Sequence, residues 1–261
     1  MDAGPVATTD DVIRTLRAAG CVFAEDEAAL LIAAARTPDE LSTMVEQRAT
    51  GRPLEHVIGW AEFCGLRIAV DPGVFVPRRR TEFLVEHAVS LTRPGSVVLD
   101  LCCGSGALGA ALLTTAGPIE LHATDVDPAA VRCARRNVEG NVYQGDLFEP
   151  LPTSLHGRVD VLLANVPYVP SDEVGLLPAE ARQHEARIAL DGGQDGLDVL
   201  RRVAAGAPVW LAPGGHLLIE TSERQVPQAV AAFESCGLDA RVASDQERGA
   251  TVVIGRSLLT R

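Results

Sequence analysis

From Thr81 onward the apolar residues fall into short continuous runs separated by amphipathic stretches, and this alternation restricts the fold more than any other feature of the chain. Val97-Val98-Leu99-Asp100-Leu101 and Val159-Asp160-Val161-Leu162-Leu163-Ala164 are short for buried helices and lack the polar alternation of a half-exposed strand. Each suits a strand covered on both faces. The pattern predicts helices over 82–91, 107–115 and Pro128–Val138. Strands are expected over 97–101 and 119–124, near 142, and over 159–164, 208–211, 215–221, 238–243 and 250–255. Such alternation makes an α/β protein with a mostly parallel, doubly wound sheet. Ligands of such sheets sit beyond the carboxyl ends of the strands, so the residues after each strand hold the functional information.

Upstream the pattern differs. Residues 10–50 read as short helices: Val12, Ile13 and Leu16 share a face, Ala28 to Ala35 is rich in alanine and leucine, and Leu41, Met44 and Val45 share another. Thr37-Pro38-Asp39-Glu40 fits a capping box with proline at the first helical position, and Gly51 is a C-terminal stop. Leu66, Ile68 and Val70 alternate between Gly65 and Asp71-Pro72-Gly73, as a hairpin strand would. The expected organisation is a helical domain over 1–51, a linker with a β-hairpin over 52–80, and an α/β domain over 81–261.

The 35 acidic and 23 basic side chains leave a net charge of −12, which opposes sequence-independent attraction to a polyphosphate. The opening MDAGPVATTDD has neither a basic start nor an apolar segment, and no run of roughly 18 or more apolar residues follows, so a cytoplasmic location is expected. The six cysteines include no Cys-x-x-Cys pair, and His56 and His184 have no partner at metal-ligand spacing. Free thiols and no metal site are expected.

Three consecutive strand ends carry glycine or acid. The first runs into Cys102-Cys103-Gly104-Ser105-Gly106 and then a helix. Glycines let a ligand approach the backbone, and a helix N-terminus presents unpaired N–H groups. The second ends in Asp125, about 20 residues further on, where a carboxylate can accept from both hydroxyls of a ribose. Asp127-Pro128 fits the cap and first residue of the next helix. The third is followed by Gly145-Asp146-Leu147-Phe148, where Asp146 can accept from an adenine amino group and Leu147 can cover the ring. Singly, each is an ordinary turn or cap; together they favour a nucleoside ligand.

Asp100-x-Cys102-x-Gly104-x-Gly106, Asp125, Asp146-Leu147 and Asn165-x-Pro167-Tyr168, in that order, resemble the class I methyltransferases that use S-adenosylmethionine. Among these the chain is most similar to the protein glutamine N5-methyltransferases that modify peptide-release factors. The similarity lies in Arg52-Pro53-Leu54-x-His56-x-Ile58-Gly59, Glu62-Phe63-x-Gly65-Leu66, Val76-Pro77-Arg78-x-x-Thr81-Glu82 and the stretch from Glu185-Ala186-Arg187 to Gly192-Gly193-x-Asp195-Gly196-Leu197, with the later Gly214-Gly215. It spans roughly residues 48–256. The resemblance implies a seven-stranded Rossmann-like methyltransferase sheet and S-adenosylmethionine as cofactor. It assigns cofactor binding to Asp100, Cys102, Cys103, Gly104, Ser105, Gly106, Asp125, Asp146, Leu147 and Asn165, and catalysis to Asn165, Val166, Pro167 and Tyr168. The implied partner is a release factor with a Gly-Gly-Gln loop, methylated by a monomer that binds no nucleic acid directly.

The chemistry suits the motif. An amide nitrogen is a poor nucleophile, and its two N–H donors need partners once buried. The Asn165 side-chain oxygen and the Val166 carbonyl can accept one each. Pro167 fixes its own φ and biases Val166 toward an extended backbone, while Tyr168 packs flat on the amide.

Four features depart from the family pattern. Val166 stands where proline is usual, Cys102 where glycine is usual, Leu147 where an aromatic residue is frequent, and the helical domain is short. Cys102 is strained if its backbone needs positive φ. Arg78 and Glu82 read as supports of the site, Arg79 and Arg80 as solvated surface, and Gly192-Gly193-Gln194 as a glycine turn, although it spells the tripeptide the family methylates in its partner. Three other readings remain open: an adenine N6-methyltransferase acting on a flipped base, a small-molecule N-methyltransferase, and a binding protein that keeps the fold without the activity.

Overall fold

The computed structural model describes residues 8–259, so the extreme ends of the expected helical and α/β domains, 1–7 and 260–261, lie outside the described residues. Helices α1 (Thr9–Ala18), α2 (Ala24–Ala34) and α3 (Pro38–Ala49) close on a core of their own that includes Val12, Leu16, Leu31, Leu41 and Met44. The Thr37 hydroxyl caps α3 by accepting the Glu40 N–H at 3.1 Å. Glu40 reaches past Thr37 to the Arg36 N–H at 2.8 Å, so half of the expected capping box forms. Gly51 follows the helix at φ 92°, the left-handed stop that glycine tolerates. The short α4 (Leu54–Ile58) packs on the same core through Leu54, Val57 and Ile58. Strands β1 (Trp60–Phe63) and β2 (Leu66–Ala69) form the hairpin, whose two turn residues, Cys64 and Gly65, both have positive φ as a two-residue turn demands.

The large domain contains α5 (Glu82–Leu91), β3 (Val97–Leu101), α6 (Ala107–Thr115), β4 (Glu120–Asp125), α7 (Pro128–Asn137), β5 (Asn141–Gln144) and β6 (Val159–Ala164). Then come α8 (Ala179–His184), α9 (Asp198–Trp210), β7 (Leu211–Glu220), α10 (Val226–Ser235), β8 (Leu238–Asp245) and β9 (Ala250–Ser257). Seven strands form one sheet in the order β5-β4-β3-β6-β7-β9-β8, parallel except where β9 meets its two neighbours. Val97, Leu99 and Leu101 share a core with α9 and α10, whereas Val98 shares one with α5, α6, α7 and the hairpin. Both faces are therefore covered, which is why the strands read as unbroken apolar runs.

The strand expected over 208–211 is a correction: 208–210 close α9 and Leu211 opens β7. Leu200, Val203, Ala204, Ala207 and Trp210 are buried at helical spacing, and that period outweighs the extended look of Val209-Trp210-Leu211. No helix among the described residues is long and apolar enough to cross a membrane.

Candidate active site

The carboxyl edge of the sheet opens into a cavity of about 720 Å³, covered by the linker around Gly73–Arg78 and by the segment from Leu177 to Leu190. Part of its lining is the loop from β3 to α6. Cys102, Gly104 and Gly106 lie at φ 54°, 54° and 78°. Cys102 therefore occupies the left-handed region despite its Cβ, at a cost of about 1–2 kcal/mol. Burial, reinforced by Asp125 and Asp100, pushes its thiol well above the ordinary range.

Asp125 ends β4 and ties this loop to the next. Its Oδ2 accepts the Gly104 N–H at 2.8 Å and its Oδ1 the Asp127 N–H at 2.9 Å. A carboxylate oxygen accepts more than one hydrogen bond, so both retain capacity toward the cavity they line. Burial raises the Asp125 pKa while the backbone donors oppose it. Asp127 caps α7 by accepting the Ala129 N–H at 2.8 Å. Cys103, Gly104 and Ser105 also line the cavity, as do Asp146 and Leu147 after β5. Asp146 pairs with Arg202 at 2.7 Å, and Leu147 sits buried at φ 50°.

Two residues assigned to the cofactor lie behind the lining. Asp100 is buried beneath the loop, where one oxygen accepts the Gly109 N–H at 3.1 Å and the other has no partner. Burial pushes its carboxyl up to about 7, with the Gly109 bond opposing and the Asp125 charge adding to the shift. Gly106 starts α6, and a Cβ there would lie 3.1 Å from the Ala134 side chain and 3.2 Å from Val138, so glycine lets α6 approach α7. Asn137 joins the site from the end of α7: its Nδ2 donates to the Ser105 and Ala69 carbonyls at 2.8 Å, and its Oδ1 accepts the Ala69 N–H at 2.8 Å, holding loop and hairpin together. Nothing in its sequence context singles it out.

The neighbouring strand end carries Asn165-Val166-Pro167-Tyr168, which follows β6, where Ala164 pairs with Leu101 of β3, and lines the cavity throughout. The Asn165 Nδ2 faces the Thr81 hydroxyl at 3.5 Å. Among the described residues no protein donor reaches the Asn165 Oδ1 or the Val166 carbonyl. The flanking backbone, by contrast, is strapped down. Gln225 Nε2 donates to the Tyr168 and Asp195 carbonyls at 2.9 Å each, the Gly192 N–H donates to the Val169 carbonyl at 2.8 Å, and the Val169 N–H to Leu190 at 3.1 Å. Gly192-Gly193-Gln194 is the glycine turn of this strap. A Cβ on Gly192 would lie 2.6 Å from the Pro167 carbonyl, and one on Gly193, at φ 90°, would overlap the Asp198 carboxylate.

Arg78 donates to both oxygens of buried Glu185 at 2.6 Å, and Glu185 also accepts the Val76 N–H at 3.2 Å, joining the linker to the cavity cover. Glu82 lies outside the lining and anchors the hairpin turn by accepting the Cys64 N–H at 2.9 Å. Arg79 is exposed. Arg80 is also exposed, as read, but it is not a free surface charge: it lines the cavity and donates to Glu220 at 3.1 Å and to the Tyr168 hydroxyl, because the turn before α5 aims it at the end of β7. Glu220 was legible in principle, being an acid that ends the apolar run Leu217-Leu218-Ile219 as Asp125 ends β4.

The methyltransferase small domain family model matches residues 65–241. A release factor glutamine methyltransferase of Geobacter sulfurreducens is 36% identical over 84% of this chain and 79% of its own length. A 4-amino-L-phenylalanine/4-methylamino-L-phenylalanine methyltransferase of Streptomyces pristinaespiralis is 35% identical over 74% and 69%. The crystal structure of a methyltransferase from Pyrococcus furiosus superposes with a TM-score of 0.57 at 18% identity, covering 84% of this chain and all of that one, and shares the fold. With a doubly wound seven-stranded sheet, a glycine-bearing loop and an Asn-x-Pro-Tyr strand end in place, the chain belongs to the methyltransferase small domain family and, within it, to the release factor glutamine methyltransferases, which use S-adenosylmethionine.

Proposed function

We propose that this chain transfers a methyl group to the side-chain amide nitrogen of a glutamine in a peptide-release factor, on its Gly-Gly-Gln loop. The carrying observation is the pair of uncommitted acceptors, Asn165 Oδ1 and the Val166 carbonyl, beside Tyr168 in a cavity that also offers carboxylates after β4 and β5. A primary amide has two N–H donors for those acceptors and a flat face for the ring. Holding it so can contribute roughly 7–11 kcal/mol through orientation; the methyl leaves its sulfonium for the amide nitrogen, and the displaced N–H proton is lost to solvent after transfer, with no base required of the protein.

S-adenosylmethionine supplies an electrophilic methyl group on a sulfonium. The residues present fit it: Asp125 offers acceptors to a ribose diol, Asp146 another to an adenine amine, and the left-handed loop of Cys102 to Gly106 brings backbone close to the cavity. Asp100 and Gly106 hold that loop in shape.

A small-molecule N-methyltransferase is the second reading. The relative from Streptomyces pristinaespiralis favours it, because an aromatic amine presents the same two donors and the cavity cover includes apolar Phe75 and Ile188. An adenine N6 substrate is disfavoured by the net charge of −12. The release-factor reading keeps the division into 1–51, 52–80 and 81–261, with the separate core of the first helices taking in α4 at the start of the linker, and a cytoplasmic monomer that does not bind nucleic acid directly. Labelled methyl transfer to a release-factor domain carrying the Gly-Gly-Gln loop, with 4-amino-L-phenylalanine in a parallel reaction, tests it. Methylglutamine in the digested protein is expected; label on the amine alone, or on neither, overturns the proposal.

A further inference from the structure

Tyr168 is held at both ends, and only the backbone end is explained by the strap. At the ring end its hydroxyl meets two charged groups from distant parts of the chain. It donates to Glu220 Oε1 at 3.2 Å and accepts from the Arg80 guanidinium, which also donates through Nε to the same Glu220 oxygen at 3.1 Å. The guanidinium carbon lies 5.8 Å from the ring centroid. A buried carboxylate is costly, and this one keeps its second oxygen without a partner, so the arrangement calls for a role beyond stability.

The phenol supplies that role. Its oxygen is conjugated with the ring, so the O–H and the acceptor lone pair favour the ring plane. Donating to one fixed partner while accepting from another therefore orients the plane as well as placing the ring. We infer that Arg80 and Glu220 are positioning residues for Tyr168, holding the ring face where the acceptor amide must lie. This rests on the reading of Tyr168 as the flat wall of the acceptor site. Arg80 acts through its planar fork, which reaches carboxylate and hydroxyl together; a lysine ammonium has no such fork.

The test compares Arg80→Lys, Tyr168→Phe, the double variant and Tyr168→Ala, each checked for an unchanged melting temperature. Arg80→Lys keeps a cation for Glu220 and so guards the fold. With the release-factor domain as substrate, Arg80→Lys and Tyr168→Phe should each lower kcat about tenfold with KM and cofactor affinity within about twofold, and the double variant should be no slower than Tyr168→Phe. Multiplying effects, or a normal kcat for Arg80→Lys, overturns the inference. A second readout is independent of turnover: the chain has two tyrosines, so ring 13C spectra report Tyr168 directly, and its ring flips should accelerate in Arg80→Lys. Unchanged Tyr168 resonances also overturn it, whatever the substrate proves to be. Full kcat in Tyr168→Ala would sink the wall reading itself. A slow Tyr168→Ala beside normal Arg80→Lys and Tyr168→Phe would leave the wall standing and remove the positioning role.

Discussion

Asp100→Asn should raise the stability of the protein at pH 8 and leave it nearly unchanged at pH 5. Asp100 is fully enclosed beneath the cofactor loop, and burial, aided by the Asp125 charge and opposed by the Gly109 N–H, moves its carboxyl from 3.8 to about 7. A folded-state pKa above the unfolded one means that the native protein holds the proton more tightly. The stability this contributes is complete below 3.8 and is lost as pH rises toward and through about 7. Relative to acid, the aspartate loses about 2 kcal/mol at pH 5 and about 4 kcal/mol at pH 8. Asparagine has the same shape, keeps an acceptor for the Gly109 N–H and never ionises. Against this, its amide N–H₂ carries two donors where the protonated carboxyl carries one O–H, at a position without a partner, and the additional unsatisfied donor costs about 1–3 kcal/mol. The net is near zero at pH 5 and a gain of about 1–3 kcal/mol at pH 8. In a chain of this length each kcal/mol moves Tm by about 2–4 °C, so the Tm advantage of the variant should grow by about 5 °C or more between the two buffers. Calorimetric scans of both proteins without cofactor, from pH 5 to 8, measure this. A Tm difference independent of pH would refute the burial argument.

Asp125→Ala removes the acceptor proposed for the ribose and frees the Gly104 and Asp127 N–H groups, so cofactor affinity should fall at least about tenfold by calorimetry; equal affinities would sink the assignment. Asn165→Ala should lower kcat on the order of a hundredfold with little change in cofactor affinity, and near-normal turnover would refute its role. Val166→Pro should be tolerated or mildly activating in methyl transfer, since no described group accepts the Val166 N–H and proline keeps the carbonyl; a folded but inactive variant would give the valine side chain or N–H its own role.

The sheet was legible because its strands are buried on both faces and announce themselves as apolar runs: β3 and β6 have the boundaries the pattern predicts, and β4 differs by one residue at each end. The end of α9 was not, because Val209-Trp210-Leu211 has strand-like side chains at the point where a helix hands over directly to β7. The candidate site was legible wherever one residue type at one strand end implies one chemistry, as with Asp125 and Asn165. It was illegible where meaning arises between distant segments. Arg80 reads as one of three successive arginines, and only the fold brings it to Glu220, 140 positions away, and to Tyr168. Asn137 likewise matters through contacts with Ala69 and Ser105 that no local pattern encodes.

The exchange of proline for Val166 takes on a different weight once the strap is considered. A proline before Pro167 would stiffen the acceptor carbonyl by removing φ freedom from that residue. Here stiffness arrives from outside the motif. Gln225 grips the Tyr168 carbonyl, Gly192 lies against the Pro167 carbonyl, and Val169 is bonded on both sides. Gly192 and Gly196 permit this, since a Cβ at either would strike the backbone of Pro167 or Tyr168. Every backbone group so bound lies after Val166, while the two acceptors left free, Asn165 Oδ1 and the Val166 carbonyl, lie between the strap and the end of β6. Strand on one side and strap on the other fix the peptide that carries them without occupying either oxygen. Rigidity supplied that way makes a second proline dispensable, and it places glycines about 30 residues downstream of Asn165 within the apparatus that positions the acceptor amide.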